Sequence, residues 1–225
     1  MSEAMTTTQR PTLTRERVIR GAIALVDDIG IEAFTIRRLA AALDVKPMTI
    51  YHHVSSKEKI IDGMVDIVFA EIELPATGVD WQTAIRGRCR SAREVLRRHR
   101  WAPPLMESRT NPGPATVRHH DAVLGCLRRG GLSLPLTAHA YAIIDSFVYG
   151  FALEEAYLPG GGGEEIVEMA QGMVEDVFAD YRYLAEFTSE HVLRPGYSFG
   201  DSFDFGLDLI LDGLGRASRS RAEEG

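Results

Sequence analysis

The residues with the clearest chemical potential crowd one short stretch near the N-terminus. Thr35, Arg37, Arg38, Lys46, Met48, Thr49, Tyr51, His52, His53 and Lys57 bring cations, hydroxyls, imidazoles and a thioether together. The set contains no acid–base pair at relay spacing, and its chemistry suits a polyanion. A guanidinium pairs with a guanine edge, Lys and hydroxyl groups hold phosphate, and an apolar group can meet a thymine methyl. Two other places invite a catalytic reading. Gly196-Tyr197-Ser198-Phe199-Gly200 matches the G-x-S-x-G nucleophile elbow. That elbow needs a strand before it and a histidine after it in chain order. Arg194–Pro195 stand where the strand should be, and no histidine follows His191. The Gly160–Gly163 run lacks the G-K-[ST] of a phosphate loop and reads as a linker. The histidines show no H-x-x-x-H spacing, and adjacent His119 and His120 point different ways, so neither a metal site nor a cofactor is expected. A convergence of Glu73, Glu107 and a histidine in space stays open.

Helices must position these groups. Val18, Ile19, Ala22, Ile23, Val26 and Ile29 recur at three- and four-residue steps, predicting a first helix over 14–29 that Gly30 ends. Thr35 caps a second short helix, and Pro47 opens a third that runs to about His53. Ser55 with Glu58 forms a capping box for a fourth, which ends before Pro75. Two short helices joined by a tight turn make a helix-turn-helix pattern. Further helices are expected over 81–99, 115–129, 137–157, 164–186 and 203–214, with breaks at Asn111–Pro114, Gly130–Gly131, Pro159–Gly163 and Arg194–Gly196. No period-2 run of strand length occurs, so the class is all-α: an N-terminal three-helix helix-turn-helix domain, then a larger helical ligand-binding and dimerisation domain. The expected boundaries are a flexible tail over 1–13, the DNA-binding domain over 14–62, the effector and dimerisation domain over 63–215, and a flexible tail over 216–225.

Composition agrees with a globular chain: 225 residues, 45% apolar and 25% charged, with a net charge of −7. Residues 10–60 nevertheless carry nine Lys/Arg against six Asp/Glu, a small basic module on an acidic body. No run of apolar residues reaches the ~18–20 that a membrane span needs. The first residues show no secretory signal pattern, and two cysteines build no disulfide framework. A cytoplasmic protein without a membrane partner is expected.

Gly30-Ile31-Glu32-Ala33-Phe34-Thr35, Arg37-Arg38-Leu39-Ala40, Leu43, Val45 and Thr49-Ile50-Tyr51-His52-His53-Val54 with Lys57 resemble the DNA-binding domain of the TetR family of bacterial transcriptional repressors. Trp81-Gln82, Gly131-Leu132-Ser133-Leu134, Phe147 with Gly150, Leu153-Glu154, and Phe205-Gly206-Leu207 leading to Gly213-Leu214 extend the likeness, more weakly, to the C-terminal domain of the tetracycline repressors. The resemblance implies a homodimer that represses transcription, each third helix entering a major groove of a palindromic double-stranded operator, and release on binding a small-molecule effector. It makes Arg37 a guanine contact, puts Met48 and Thr49 at base edges, and sets Tyr51, His53 and Lys57 on the DNA backbone. Departures matter too. His52 replaces a tryptophan and Pro47 a base-reading glutamine, while the drug-chelating positions read Met106 or Glu107, Arg88, Val123 and Glu73. Tetracycline is therefore not the expected ligand. A hydrophobic effector is expected instead, lined by Met64, Trp101, Leu105, Met106, Val123, Phe147, Phe151, Met169 and Met173. The expected dimer face is Ile143, Phe147, Gly150, Phe203, Gly206, Leu207, Ile210 and Leu214. Rival readings are a ligand-sequestering helical sensor without operator binding, and a serine hydrolase using Ser198.

Overall fold

The computed structural model describes residues 12–106, 108–176 and 180–223, and every regular element among them is helical. The first unit holds α1 (Arg15–Ile29), α2 (Ile36–Ala42) and α3 (Pro47–Tyr51). Thr14 and Thr35 cap α1 and α2, their side chains accepting from the Arg17 and Arg38 amides. Between α2 and α3 the chain turns through Asp44 at φ 53°, a left-handed conformation that a short polar side chain tolerates. Pro47 stands at the start of α3, where its missing N–H costs nothing. The helix ends at Tyr51, before the expected His53. Val18, Ala22, Val26, Phe34, Leu39 and Ile50 close the core of this unit.

The next helix, α4 (Lys57–Glu71), belongs to both halves of the molecule. Its cap is Ser56, which accepts from the Lys59 amide, so the expected Ser55–Glu58 capping box lies one residue out of register. Ile60, Met64 and Val68 are fully buried between α1 and the body. The body comprises α5 (Trp81–Arg98), the single turn α6 (Pro103–Met106), α7 (Pro114–Arg129), α8 (Leu134–Tyr157), α9 (Glu164–Asp176), α10 (Arg182–Phe187) and α11 (Ser202–Glu223). The expected single helix over 164–186 is two, α9 and α10, and the second runs into a π-helical turn over Thr188–Val192. The last helix continues beyond Leu214 to Glu223, so residues 216–223 of the expected tail are helical. At the other end, residues 1–11 lie outside the described residues, and Leu13 packs on the core.

Two carboxylates of the N-terminal half join it to the body. Asp66 on α4 accepts from both the amide (2.8 Å) and hydroxyl (3.0 Å) of Thr116, in the first turn of α7. Negative charge there meets unpaired amides and the positive end of the helix. Gly113, which precedes α7, has no side chain because a Cβ would fall on the Asp66 carboxylate. Asp27 on α1 accepts from Trp101 Nε1 at 2.6 Å and lies 2.8 Å from Nδ1 of His99, which caps α5.

The arginine-rich α5 spends its charge inside the chain. Arg86 pairs with Asp208 and Arg90 with Asp204 on α11, and Arg93 makes a two-pronged contact to buried Glu155 on α8. Arg88 goes further and is fully buried, with Nη1 2.8 Å from Asp145 of α8, Nε donating to His119 Nε2 at 2.9 Å and Nη2 donating to the Tyr149 hydroxyl. Helix α8 is long and apolar enough to cross a membrane by length and composition, yet half of that stretch is buried against the rest of the chain. It packs on α5, α7 and α11.

Burial works against a charged guanidinium, but the interactions around it, led by the opposite charge of Asp145, hold Arg88 above its ordinary value. The same burial, followed by the Arg88 charge, pushes His119 down to about 3. Below pH ~6.5 an unfolded chain takes up a proton on this imidazole that the native state refuses. Stability is therefore lost as the pH falls from about 6.5 towards 3, by at most about 1.4 kcal/mol per pH unit from this residue. A His119→Gln chain, which keeps an acceptor for Arg88, should lose less stability between pH 6.5 and 4.5 than the parent in urea melts. Parallel losses in the two proteins would contradict this account of the buried imidazole.

Candidate functional site

The helix-turn-helix unit presents a compact cationic surface. Thr35, Arg37, Arg38, Lys46, Met48, Tyr51, His52 and Lys57 are exposed, while Thr49 and His53 are half-buried. Ile50, on the opposite side of α3, is fully buried, so the short helix is held from one face and offers the other. Met48 is 67% exposed, an apolar side chain held in solvent among cations. Arg37 and Lys46 have no hydrogen bond or ion pair among the described residues. Arg38 and Lys57 do structural work as well. Arg38 Nη1 donates to the Ala33 carbonyl at 3.1 Å. Lys57 Nζ donates to the Phe34 carbonyl at 3.0 Å and lies 5.4 Å above the Phe34 ring. Both brace the turn that precedes α2.

The body contains a cavity of about 700 Å³ between α4, α6, α7 and α8. Its walls are Phe69, Pro103, Pro104, Met106, His120, Tyr141, Ala142, Asp145, Ser146, Tyr149, Gly150 and Leu153. Of the nine residues expected to line an effector site, Met106 borders this cavity and the other eight lie elsewhere. Met64 and Val123 are sealed in the core. Trp101 is turned to Asp27, and Leu105 packs partly buried on the core. Phe147 and Phe151 belong to an aromatic stack with Phe199 and Phe203, over which the Arg93 guanidinium lies. Met169 and Met173 are exposed on α9. Glu107 lies outside the described residues, and the Glu73 amide bonds Ser91. Among the described residues no three His, Cys, Asp or Glu side chains are placed to share a metal ion.

The cavity had a readable signal. Ala142, Ser146 and Gly150 set small side chains at four-residue steps along α8, which leaves space on that face. Asp145 and Arg88 are charges at core positions of α8 and α5, and each is the other's partner. One wall of the cavity is thus polar: Asp145 and Tyr149 are tied to Arg88, and the Tyr141 hydroxyl bonds His120 Nδ1. His119 and His120 diverge as expected, their rings at 81°. Burial raises the Tyr149 phenol above its ordinary value, so it remains a neutral hydroxyl.

The expected dimer face divides in two. Phe203, Leu207 and Leu214 are buried against the chain's own core. Gly206 allows α11 to approach α8 of the same chain, since a Cβ there would stand 2.8 Å from Phe147 Cε2. Ile143 and Gly150 are exposed, while Phe147 and Ile210 are half-buried. Phe205 and Leu209, 70% and 58% exposed, extend this surface and were not anticipated.

Ser198 lines a hollow of about 370 Å³ with His191 and Asp201. The segment before it is an irregular turn and not a strand, and no hydrogen bond joins these three side chains among the described residues. The His191 ring packs on Phe187 and Tyr197 instead. A nucleophile needs a base within bonding reach.

Known proteins carry the same two-part organisation. Residues 18–64 match the family of bacterial regulatory proteins named for tetR, and residues 74–217 match the tetracyclin repressor-like C-terminal domain. The HTH-type transcriptional repressor DrrR1 of Streptomyces coeruleorubidus is 34% identical over 214 residues, covering 91% of this chain and 78% of that protein. The class A tetracycline repressor from transposon 1721 of Escherichia coli is 28% identical over 202 residues, 88% of this chain and 89% of its own. Among solved structures, ActR of Streptomyces coelicolor in complex with actinorhodin superposes with a TM-score of 0.75 at 26% identity, covering 92% of this chain and 99% of that one. Two matched domains and a relative aligned along most of its length lead to one assignment: the chain belongs to the TetR family of bacterial regulatory proteins, with a C-terminal domain of the tetracycline-repressor type.

Proposed function

We propose that this protein is a homodimeric, cytoplasmic transcriptional repressor that binds a palindromic operator and releases it when a small, largely hydrophobic effector enters the body cavity. The observation that carries the reading is the conjunction of an exposed cationic helix-turn-helix face and a cavity of about 700 Å³, joined through α4 and α6. That volume falls in the range of small-molecule sites. DrrR1 is named a repressor, and ActR has been seen with a small molecule bound. Residues 14–62 act as the reading unit and 63–215 as the effector and dimerisation unit. Ile143, Phe147, Gly150, Ile210, Phe205 and Leu209 form the face on which two copies meet, an apolar surface that a second copy would cover.

On DNA, Arg37 reads a guanine, Met48 and Thr49 meet base edges, and Lys46, Tyr51, His52 and His53 hold the backbone. Lys57 and Arg38 support this surface by fixing the turn at Ala33–Phe34. Effector coupling runs through α6. Pro103, Pro104 and Met106 form one wall of the cavity, and Trp101, just ahead of them, is bonded to Asp27 in the first helix of the reading unit. A ligand that displaces α6 therefore pulls on α1, and a ligand preferring the displaced form shifts the population away from DNA binding.

Arg37→Ala should relax base preference at one operator position at a cost of about 1–3 kcal/mol. Lys46→Ala should weaken matched and scrambled duplexes alike and lower the salt slope by about one. Fluorescence anisotropy on both duplexes at two salt concentrations separates the roles, and identical profiles for the two variants would refute them. Trp101→Phe removes one donor while keeping the ring. Operator affinity and ligand affinity should each stay within about threefold of the parent, whereas ligand-induced release should fall by about tenfold in effective concentration. Unchanged release would show that the Asp27–Trp101 bond carries no coupling.

A further inference from the structure

The polar wall of the cavity is unusual in what it leaves unused. Asp145 is 5% exposed and borders the cavity. Its Oδ1 is sealed in the interior against Arg88 Nη1 at 2.8 Å and is out of a ligand's reach. The other oxygen, Oδ2, has no donor among the described residues and is not sealed in the interior, so it is the acceptor left to a ligand. Tyr149 accepts from Arg88 Nη2 and so keeps its own O–H proton to offer. The wall therefore presents a carboxylate acceptor beside a phenolic donor, in a cleft lined also by the aromatic residues Phe69, His120 and Tyr141 and by Pro103 and Pro104.

Charge narrows what fits. Arg88 has already balanced Asp145, so the pair is formally neutral and has no net charge to offer a ligand ion. An anionic ligand would face a carboxylate, while a cation would leave one uncompensated positive charge in a buried site. A group that only accepts hydrogen bonds would strip water from Asp145 and give nothing back. A neutral hydroxyl satisfies the carboxylate without adding charge, and its oxygen can accept from Tyr149. The ring faces favour an aromatic carrier.

We propose that the ligand of this cavity is a neutral aromatic molecule whose hydroxyl donates to Asp145. This rests on the reading of the cavity as the effector site, and it adds the chemistry by which the site selects. Arg88 is then a positioning residue, holding the carboxylate at the cavity edge without touching the ligand.

Naphthalenes differing at one position test this on the full-length protein by calorimetry: 2-naphthol, 2-methoxynaphthalene, 2-naphthoate and 2-naphthylmethylamine. The naphthol should bind about 100-fold more tightly than the methyl ether, because a site built for a donor rejects the analogue that lacks one. The naphthoate and the amine should be weaker than the naphthol. Asp145→Asn should reduce the preference for the naphthol. Should that variant fail to fold around an unpaired Arg88, the double variant Arg88→Met with Asp145→Leu replaces the ion pair by apolar volume, and should bring the naphthol and the ether within about threefold of one another. Ala142→Trp fills the cavity from a position where the parent side chain is small and exposed, and should abolish all binding. Equal binding of naphthol and ether, both lost in Ala142→Trp, would overturn the hydroxyl preference while keeping the cavity as a ligand site. Tightest binding of the amine or the naphthoate would replace the neutral donor by that ion. No binding by any naphthalene, or binding indifferent to Ala142→Trp, would overturn the cavity reading along with the inference.

Discussion

A guanidinium buried in a helical core dictates much of this molecule. Arg88 lies on the inward face of α5 among Ile85, Cys89 and Ala92, where an uncompensated charge would destabilise the fold strongly. The answer is a carboxylate on another helix, and only α8 supplies one at the right height. Meeting that demand fixes the axial position of α8 against α5 and draws Tyr149 and His119 into the same cluster. It also places Asp145 at the edge of the space that small residues leave on α8, so the charge that stabilises the core also makes one wall of the cavity polar.

The other arginines of α5 follow a milder version of the same rule. Arg86, Arg90 and Arg93 are each matched by carboxylates of α8 or α11. Partly exposed pairs of this kind contribute little individually to stability. Their larger consequence is electrostatic: an arginine-rich helix in the middle of an acidic body offers little basic surface. The cations left for a polyanion are concentrated on α2, α3 and the start of α4, where Arg37 and Lys46 stand without partners among the described residues. A protein of net charge −7 can in this way keep a cationic face on its helix-turn-helix unit.

Communication between the ends depends on contacts that are few and specific. Asp66 holds the start of α7 from α4, and Asp27 holds Trp101 and His99 from α1. Both carboxylates lie in the N-terminal half, and both partners lie on segments that flank the cavity's α6 wall. Helix α4 alone would make the halves a rigid rod. These two attachments tie the segments on either side of α6 to the N-terminal half.

The fold class, the order of the helices, the helix-turn-helix unit and its exposed residues were all legible in the amino-acid sequence. Apolar spacing, threonine caps and Pro47 are local signals, and the structure of a short helix is mostly local. Where the reading slipped it slipped locally as well: Ser56 caps α4 in place of Ser55, a choice between adjacent serines that only backbone geometry makes. The cavity was a different matter. Phe147, Phe151, Met64 and Val123 look identical on a helical wheel whether they face a ligand or a neighbouring helix, and here they face neighbours. Phe203 and Leu207 show the same ambiguity at the dimer face, being claimed by the chain's own core. Hydrophobic periodicity tells which side of a helix avoids water, because that depends on the helix alone. What that side touches depends on how several helices cross, and the tertiary structure alone decided that Asp145, Tyr149 and His120 would border the open space while the larger apolar side chains closed the rest.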